Sequence, residues 1–466
     1  MTDTPVTAEL NRELLDHSEA LFTSQPKNLV AQNAVGKHGI NSVSHSHQCS
    51  TSVALSHVFN YTVEEVSPVT NQKGSGRCWL FALLNTIRIP FVKEYKLKSF
   101  EFSQSYLYFW NKMELCNYIM ETYIKMVKED LDGRLMMFLL ATPCQDGGQW
   151  DMVVNIVEKY GLVPKDCWPE SSTTESSGTF TRLLAAKLRQ ACHCFRKQSA
   201  EGKSVEEMRK DKQKYLTEFY QICSVCLGTP PKKFDWEYRD KDDKYNCHAN
   251  ITPLEFYQQF VKPIYNMEDK VCLINDPRDG HDFNKLYTVQ YLGNVIEGHP
   301  VRYINVSIDV LKKAAADAIK LGQGVWFGCD VDKCFHKQGV LDFDAVGHKV
   351  VFGFDVKELN KGERLQYGES LMTHAMTLTG VHEKEEGVYT RWRIENSWGK
   401  DSGKEGYLLM TDEWFSEFVY EVVVNKTLLS AEILEVLKKD PVVLPPWDPM
   451  GSLAWNHCRQ FPVGKL

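Results

Sequence analysis

The stretch Gln72-Lys73-Gly74-Ser75-Gly76-Arg77-Cys78-Trp79-Leu80-Phe81 constrains this chain more than any other. Small, glycine-rich residues form a loop, and the cysteine that ends it opens an apolar, helix-like run, Trp79-Leu80-Phe81-Ala82-Leu83-Leu84. A fold that accepts this run has to bury a helix whose first residue is a thiol. Backbone N–H groups and the macrodipole at a helix start favour negative charge. That lowers a cysteine pKa, and the thiolate is the nucleophilic form. A free cysteine is more often a small, inert core residue, so the loop by itself leaves both roles open.

Two later segments weigh against the inert role. In Gly368-Glu369-Ser370-Leu371-Met372-Thr373-His374-Ala375-Met376-Thr377-Leu378-Thr379-Gly380, a histidine leads a run of small and apolar residues that reads as the start of a buried strand. In Trp392-Arg393-Ile394-Glu395-Asn396-Ser397-Trp398-Gly399, a strand runs into a turn. An asparagine there accepts from an imidazole N–H, and a tryptophan two residues on shields that bond from water. A lone histidine is more often a satisfied core or surface residue, and Asn-Ser is a common turn pair. In the order Cys, His, Asn, with Trp close behind, the three segments match a thiol–imidazole–amide catalytic set.

With these motifs the chain resembles the papain-like cysteine peptidases. Arg77 stands where most papain and cathepsin relatives have serine, and that variant is typical of the cytosolic aminopeptidase branch. Further stretches are similar to the same branch: Phe100–Leu107, Asp146–Met152, Trp236–Asp240, Asn266–Lys270, Thr411–Glu417 and Pro446–Gly451. The resemblance spans roughly residues 20–454 and stays collinear across inserts that ordinary papains lack.

The resemblance implies an α+β fold: two papain-like lobes, helical and β-barrel, with a large helical insertion and a C-terminal arm. Cys78 is then the nucleophile, His374 its proton partner and Asn396 the residue that orients the imidazole. Gln72, six residues before Cys78, supplies a side-chain N–H to an oxyanion hole shared with the Cys78 N–H. Gly147 and Gly148 let a substrate backbone lie close, although a plain turn between helices reads the same way. Trp398 covers the His374–Asn396 bond. The implied substrates are short peptides with free N-termini and amides such as that of bleomycin. The implied assembly is a cytoplasmic homohexamer with sites facing an inner channel, and neither cofactor nor metal is called for. In this branch the C-terminal arm lies in the cleft and its carboxylate holds the substrate amine. Here Met450-Gly451-Ser452-Leu453-Ala454 matches, but twelve further residues, Trp455–Leu466, carry the end of the chain past that position unless they fold aside or are trimmed. A papain-like endopeptidase and a nonenzymatic nucleic-acid-binding oligomer are the alternatives.

Composition narrows these choices. A net charge of −7 and a pI near 6.1 argue against a dedicated nucleic-acid binder, which shows a basic face. The polar, acidic opening Met1–Leu10 is unlike a signal peptide, and no apolar run reaches the about 20 residues of a membrane span. With nothing routing the chain to an oxidising compartment, the 14 cysteines read as mostly reduced. Cys223-Ser224-Val225-Cys226 lacks a second pair at zinc-ribbon spacing. His45-Ser46-His47-Gln48-Cys49 is a better local ligand set, but it lies in a Ser- and His-rich stretch with little periodicity.

Along the chain, residues 1–60 read as an amphipathic helix over 8–24, stopped at Pro26, followed by a mobile link. Residues 61–165 read as the helical lobe, with Ser103 capping a helix that carries Tyr106, Phe109, Trp110 and Met113. Roughly 300 residues separate Cys78 from His374, against about 130–150 in papains, so 166–320 reads as a mainly helical insertion. Residues 321–428 read as the β-barrel lobe, and 429–466 as a short helix, Ser430–Lys439, with an extended proline-rich tail.

Overall fold

The computed structural model describes residues 8–47, 57–336, 338–354 and 357–452. Its centre is the Cys78 helix (Cys78–Glu94), which is apolar on nearly every side and buried over most of its length. A helix without a polar face must lie inside a protein. The next helix, Gln104–Lys125, begins where the sequence indicates: Ser103 Oγ accepts from Tyr106 N at 3.1 Å. A third, Trp150–Tyr160, buries one face. These three pack together as a helical lobe.

The strands are β1 (Tyr61–Thr62), β2 (Phe234–Arg239), β3 (Tyr245–Ile251), β4 (Lys270–Ile274), β5 (Lys285–Val289), β6 (Tyr303–Asn305), β7 (Val325–Cys329), β8 (Phe335–His336), β9 (Val340–Leu341), β10 (His374–Glu385), β11 (Val388–Glu395), β12 (Tyr407–Thr411), β13 (Val419–Asn425) and β14 (Val442–Leu444). β2 and β3 form a separate hairpin. The others build one sheet in the order β14-β5-β6-β4-β13-β7-β10-β11-β12-β9-β8, with β1 on β10. The middle strands β7, β10 and β13 are mostly buried and rich in Val, Phe, Met and Trp, as strands covered on both faces should be.

The Cys78 helix lies against this sheet. Thr377 Oγ1 on β10 donates to Ala82 O at 3.0 Å, and Trp326 Nε1 on β7 donates to Trp79 O at 3.2 Å. A buried ion pair, Arg88–Glu395, joins the helix to the end of β11. The helical and sheet halves therefore meet along the helix that Cys78 begins.

Two features differ from the sequence reading. Pro26 does not end the N-terminal helical region. The first helix is Arg12–Thr23, and Pro26 opens a second, Pro26–His38, because proline at a first helical position loses no needed N–H and its fixed φ suits the helix. Within 166–320, the paired helices Gly178–Ala200 and Val205–Leu227 are present, the second opened by a Ser204–Glu207 capping box. Yet β4, β5 and β6 from the same interval join the large sheet, so the division at 320 runs through one sheet. The proline-rich tail is extended, and its strand β14 pairs in parallel with β5.

Candidate active site

Chain segments distant in sequence converge at the junction of helix and sheet. Cys78 is the first residue of its helix, and Arg77, at the N-cap, makes no capping hydrogen bond with its side chain. His374 is the first residue of β10 and pairs with Cys329 of β7. Asn396 follows the last residue of β11. Cys78, His374, Asn396 and Gln72 are all nearly solvent-excluded.

His374 Nε2 lies 3.0 Å from Asn396 Oδ1. An amide oxygen only accepts, so Nε2 carries the hydrogen and Nδ1 is left for another partner. Asn396 Oδ1 also accepts from Ser397 N at 2.8 Å, which fixes the amide plane. The Trp398 ring lies 5.0 Å from the imidazole, centroid to centroid, and covers this bond. Burial pushes His374 down to about 4, opposed by the Asn396 hydrogen bond. Cys78 lies within electrostatic reach of the strand pair: burial, Asp330 and then Cys78 raise the neighbouring Cys329 thiol.

Gln72 is held from three directions. Its N–H donates to Ser397 O at 2.7 Å, its Oε1 accepts from Ser397 Oγ at 2.6 Å, and its Nε2 donates to Ser75 O at 2.6 Å. Nε2 has two hydrogens, so one remains for the cleft. Ser397 thus joins the Asn396 turn to the Gln72 loop. Its neighbour is a site candidate, but a serine in a turn gives no sequence signal for this role.

Other supports were equally hidden. The Arg77 guanidinium turns inward, with Nε on Ser75 Oγ at 2.8 Å and Nη1 on Glu170 at 2.8 Å. Asp146 accepts from Tyr108 Oη at 2.8 Å, Thr181 Oγ1 at 2.8 Å and Gly76 N at 3.3 Å, and pairs with buried Lys112 at 2.8 Å. Its carbonyl takes the Trp79 indole N–H at 2.9 Å. The available sequence signal was a charge inside an apolar pattern: Arg88 and Lys112 interrupt buried helix faces and so require buried partners.

Gly148 sits on the Trp79 ring, where a Cβ would come within 2.6 Å of three ring carbons. Packing therefore demands glycine at 148 whatever a substrate needs, and Gly147 precedes it on the same edge. The following Gln149 donates through Nε2 to Ser452 O at 2.7 Å, while Ser452 Oγ donates to Met372 O at 2.6 Å. The C-terminal arm thus crosses between the Gly147–Gly148 edge and the loop segment that leads into β10 at His374. Residues 453–466, including Ala454, lie outside the described residues. Among the described residues, no three His, Cys, Asp or Glu side chains are grouped to hold a metal, and no disulfide joins any two of the twelve described cysteines. Gln48 and Cys49 of the His45–Cys49 set lie outside those residues.

A thiol at the start of a central helix, an imidazole and an amide on the facing sheet, and an α+β framework around them define a papain-like cysteine peptidase. The chain belongs to the Peptidase C1-like family, whose model matches residues 9–451. It is 49% identical over 453 residues to bleomycin hydrolase of Mus musculus, covering 96% of this chain and 99% of that one. The human bleomycin hydrolase is 49% identical over 451 residues, with the same coverage. Aminopeptidase C of Listeria monocytogenes is 43% identical over 447 residues, covering 96% of this chain and 99% of that one. The crystal structure of PepW from Lactobacillus rhamnosis HN001 superposes with a TM-score of 0.93 at 42% identity, covering 96% of this chain and all of that one. These relatives bear out the sequence reading of a cysteine-type aminopeptidase with a papain-like fold.

Proposed function

We propose that this peptidase releases N-terminal residues from short peptides and hydrolyses amides such as that of bleomycin, through Cys78, His374 and Asn396. The observation that carries the reading is the 3.0 Å His374 Nε2–Asn396 Oδ1 contact, which leaves Nδ1 for the thiol at the helix start. An imidazolium is costly in this buried site, as the downward shift of His374 indicates. A Cys78 thiolate beside it is the charge that offsets that cost.

The thiolate Sγ attacks the scissile carbonyl carbon, and the C=O π pair moves onto oxygen. Gln72 Nε2–H and the Cys78 N–H receive that oxyanion. The C–N bond breaks as His374 gives its Nδ1 proton to the leaving amine, leaving an acyl-thioester. Water adds next, His374 takes its proton, and the Cys78 thiolate leaves as the acid product departs. Asn396 keeps the ring in register throughout, Trp398 excludes water from the His374–Asn396 bond, and the Gly147–Gly148 edge seats the substrate backbone.

A cytoplasmic homohexamer fits this reading. Among the described residues, no helix is long and apolar enough to cross a membrane. Leu14, Leu15, Leu21 and Phe22 expose an apolar stripe along the first helix, with exposed Leu10 just before it, that suits burial between subunits. The test is alkylation of the intact protein with mass mapping, alongside hydrolysis of a dipeptide reporter by Cys78→Ala and Cys78→Ser. Both variants should be inactive with an unchanged melting temperature. Full activity in a protein alkylated at Cys78 would refute the assignment.

A further inference from the structure

β10 begins at His374, and its ladder with β7 begins there too: His374 pairs with Cys329, the last residue of β7. Strands fray where their ladder stops. Yet the imidazole on this end residue has to reach Asn396 on one side and the Cys78 thiol on the other. The residue after Cys329 is Asp330, and its side chain takes over where the backbone ladder ends.

Asp330 is buried. Its Oδ2 accepts from Ser370 Oγ at 2.8 Å and its Oδ1 from Thr373 Oγ1 at 3.3 Å. The Leu371 N–H donates to the same carboxylate. Thr373 Oγ1 also lies 3.5 Å from Cys329 O and accepts from Val331 N at 3.3 Å, while Thr373 N donates to Cys329 O at 2.9 Å. Ser370 Oγ is 2.6 Å from Tyr420 Oη on β13. Ser370 gives its one hydrogen to Asp330, so the tyrosine is the donor in that contact. On the far side, Asp330 N donates to Phe418 O at 3.0 Å, just before β13. One carboxylate thus gathers the chain 370–373 that enters β10 and ties it to β7 and β13.

A buried carboxylate is costly unless it is paired or hydrogen-bonded. Among the described residues, no Lys or Arg forms an ion pair with Asp330; Lys333 acts on it through space and pairs with Glu369 at 2.7 Å. The hydroxyls of Ser370 and Thr373 and the Leu371 N–H are what hold the charge. Burial pushes Asp330 up to about 6, opposed by the Ser370 hydroxyl and Lys333, reinforced by Asp332 and opposed again by the Leu371 N–H. After burial, Asp330 and then Cys78 raise the Cys329 thiol, which places this carboxylate beside the site.

We propose that Asp330 is a positioning residue for the Cys78–His374 pair: with Ser370 and Thr373 it clamps the chain entering β10 and so sets where the His374 ring stands between Cys78 and Asn396. Loosening the clamp lets the end of β10 shift while the fold stands, because the ladder from His374 to Leu378 on β7 persists. A misplacement of about 1 Å costs up to about 10²-fold in rate. The thiolate weakens with the same shift: a thiolate–imidazolium pair weaker by about tenfold raises the midpoint of thiol ionisation by about one pH unit. The inference rests on the Cys78–His374 reading above.

Asp330→Asn and Thr373→Val in the full chain test this, with Thr373→Ser as the conservative variant and thermal melts to check folding. Asparagine keeps the shape, but its amide nitrogen cannot accept, so one of the Ser370 and Thr373 hydroxyls loses its partner. Valine keeps the branched shape of Thr373 and removes the hydroxyl; serine keeps the hydroxyl. Two quantities are measured: kcat and KM on a free-amine dipeptide reporter, and the pH dependence of Cys78 alkylation by iodoacetamide, with mass mapping. Asp330→Asn and Thr373→Val should each lose about tenfold in kcat with KM little changed, and their alkylation midpoint should rise by about one pH unit. Thr373→Ser should match the wild type in both. A role confined to stability would lower the melting temperature and leave the midpoint in place. An unmoved midpoint in the folded variants, a loss carried by KM instead of kcat, or a Thr373→Ser protein as impaired as Thr373→Val would each overturn the proposal; either of the first two variants decides alone if the other does not fold. A His374→Ala protein whose Cys78 keeps the wild-type midpoint would instead overturn the Cys78–His374 reading, and the proposal with it.

Discussion

Ser397→Ala tests whether the Asn396 turn also governs the oxyanion site. The substitution removes the 2.6 Å bond from Ser397 Oγ to Gln72 Oε1. It keeps the Gln72 N–H to Ser397 O bond at 2.7 Å and the Nε2 bond to Ser75 O at 2.6 Å. Gln72 therefore stays in the loop but loses the contact that sets the rotation of its amide. One such bond is worth about 1 kcal/mol net, or roughly a fivefold change at about 1.4 kcal/mol per tenfold. Deleting the donor outright with Gln72→Ala should cost about 10²–10³ in kcat. The expected order is therefore a small loss for Ser397→Ala inside a large one for Gln72→Ala, both in kcat with KM little changed, because the oxyanion exists only after attack. The double variant should match Gln72→Ala alone. Steady-state kinetics on one dipeptide reporter decide the matter. A Ser397→Ala loss that equals that of Gln72→Ala, moves KM instead of kcat, or adds fully in the double variant would refute the reasoning.

His374→Ala should be as severe as Cys78→Ala, whereas Asn396→Ala should be milder, because packing against Trp398 still holds the ring. The Asn396 bond raises the His374 pKa, so its loss should move the alkaline limb of the kcat/KM profile to lower pH; an unmoved limb would contradict this. Asp146 is held below the ordinary carboxylate range: burial alone would raise it, and the Lys112 ammonium with the Ser177 and Thr181 hydroxyls outweighs that. The sign follows. Its contribution is complete above about pH 4 and is lost as pH falls through the lower folded value. Asp146→Asn strands the Lys112 charge and should cost about 3–5 kcal/mol at neutral pH; thermal melts should show the gap to the wild type narrowing below pH 3. Truncation after Ala454 ends the chain in a carboxylate two residues past Ser452, and a carboxylate–ammonium contact with the substrate amine should favour free-amine over acetylated reporters by about 2–5 kcal/mol relative to the full chain. Equal preference in both forms, with intact masses verified, would remove the arm from the account of selectivity.

The local parts of this protein were legible in its residues. The Cys78 helix, the Ser103 cap, the strands beginning at Val325 and His374, and the strand leading to Asn396 all follow from short-range patterning, and they occur where that patterning puts them. Periodicity and capping are properties of neighbours in sequence, so they survive without tertiary context. What the sequence could not reveal is every pairing across long separations: Arg77 with Glu170, Arg88 with Glu395, Lys112 with Asp146, Ser397 with Gln72. The same holds for β4–β6, which looked like part of an insertion and belong to the main sheet, and for the tail, which closes a strand on β5. Each buried charge announced that it needed a partner, since burial without one is costly. Only the folded chain decided which partner, because that choice depends on which strands and helices become neighbours, not on the residues that flank each charge.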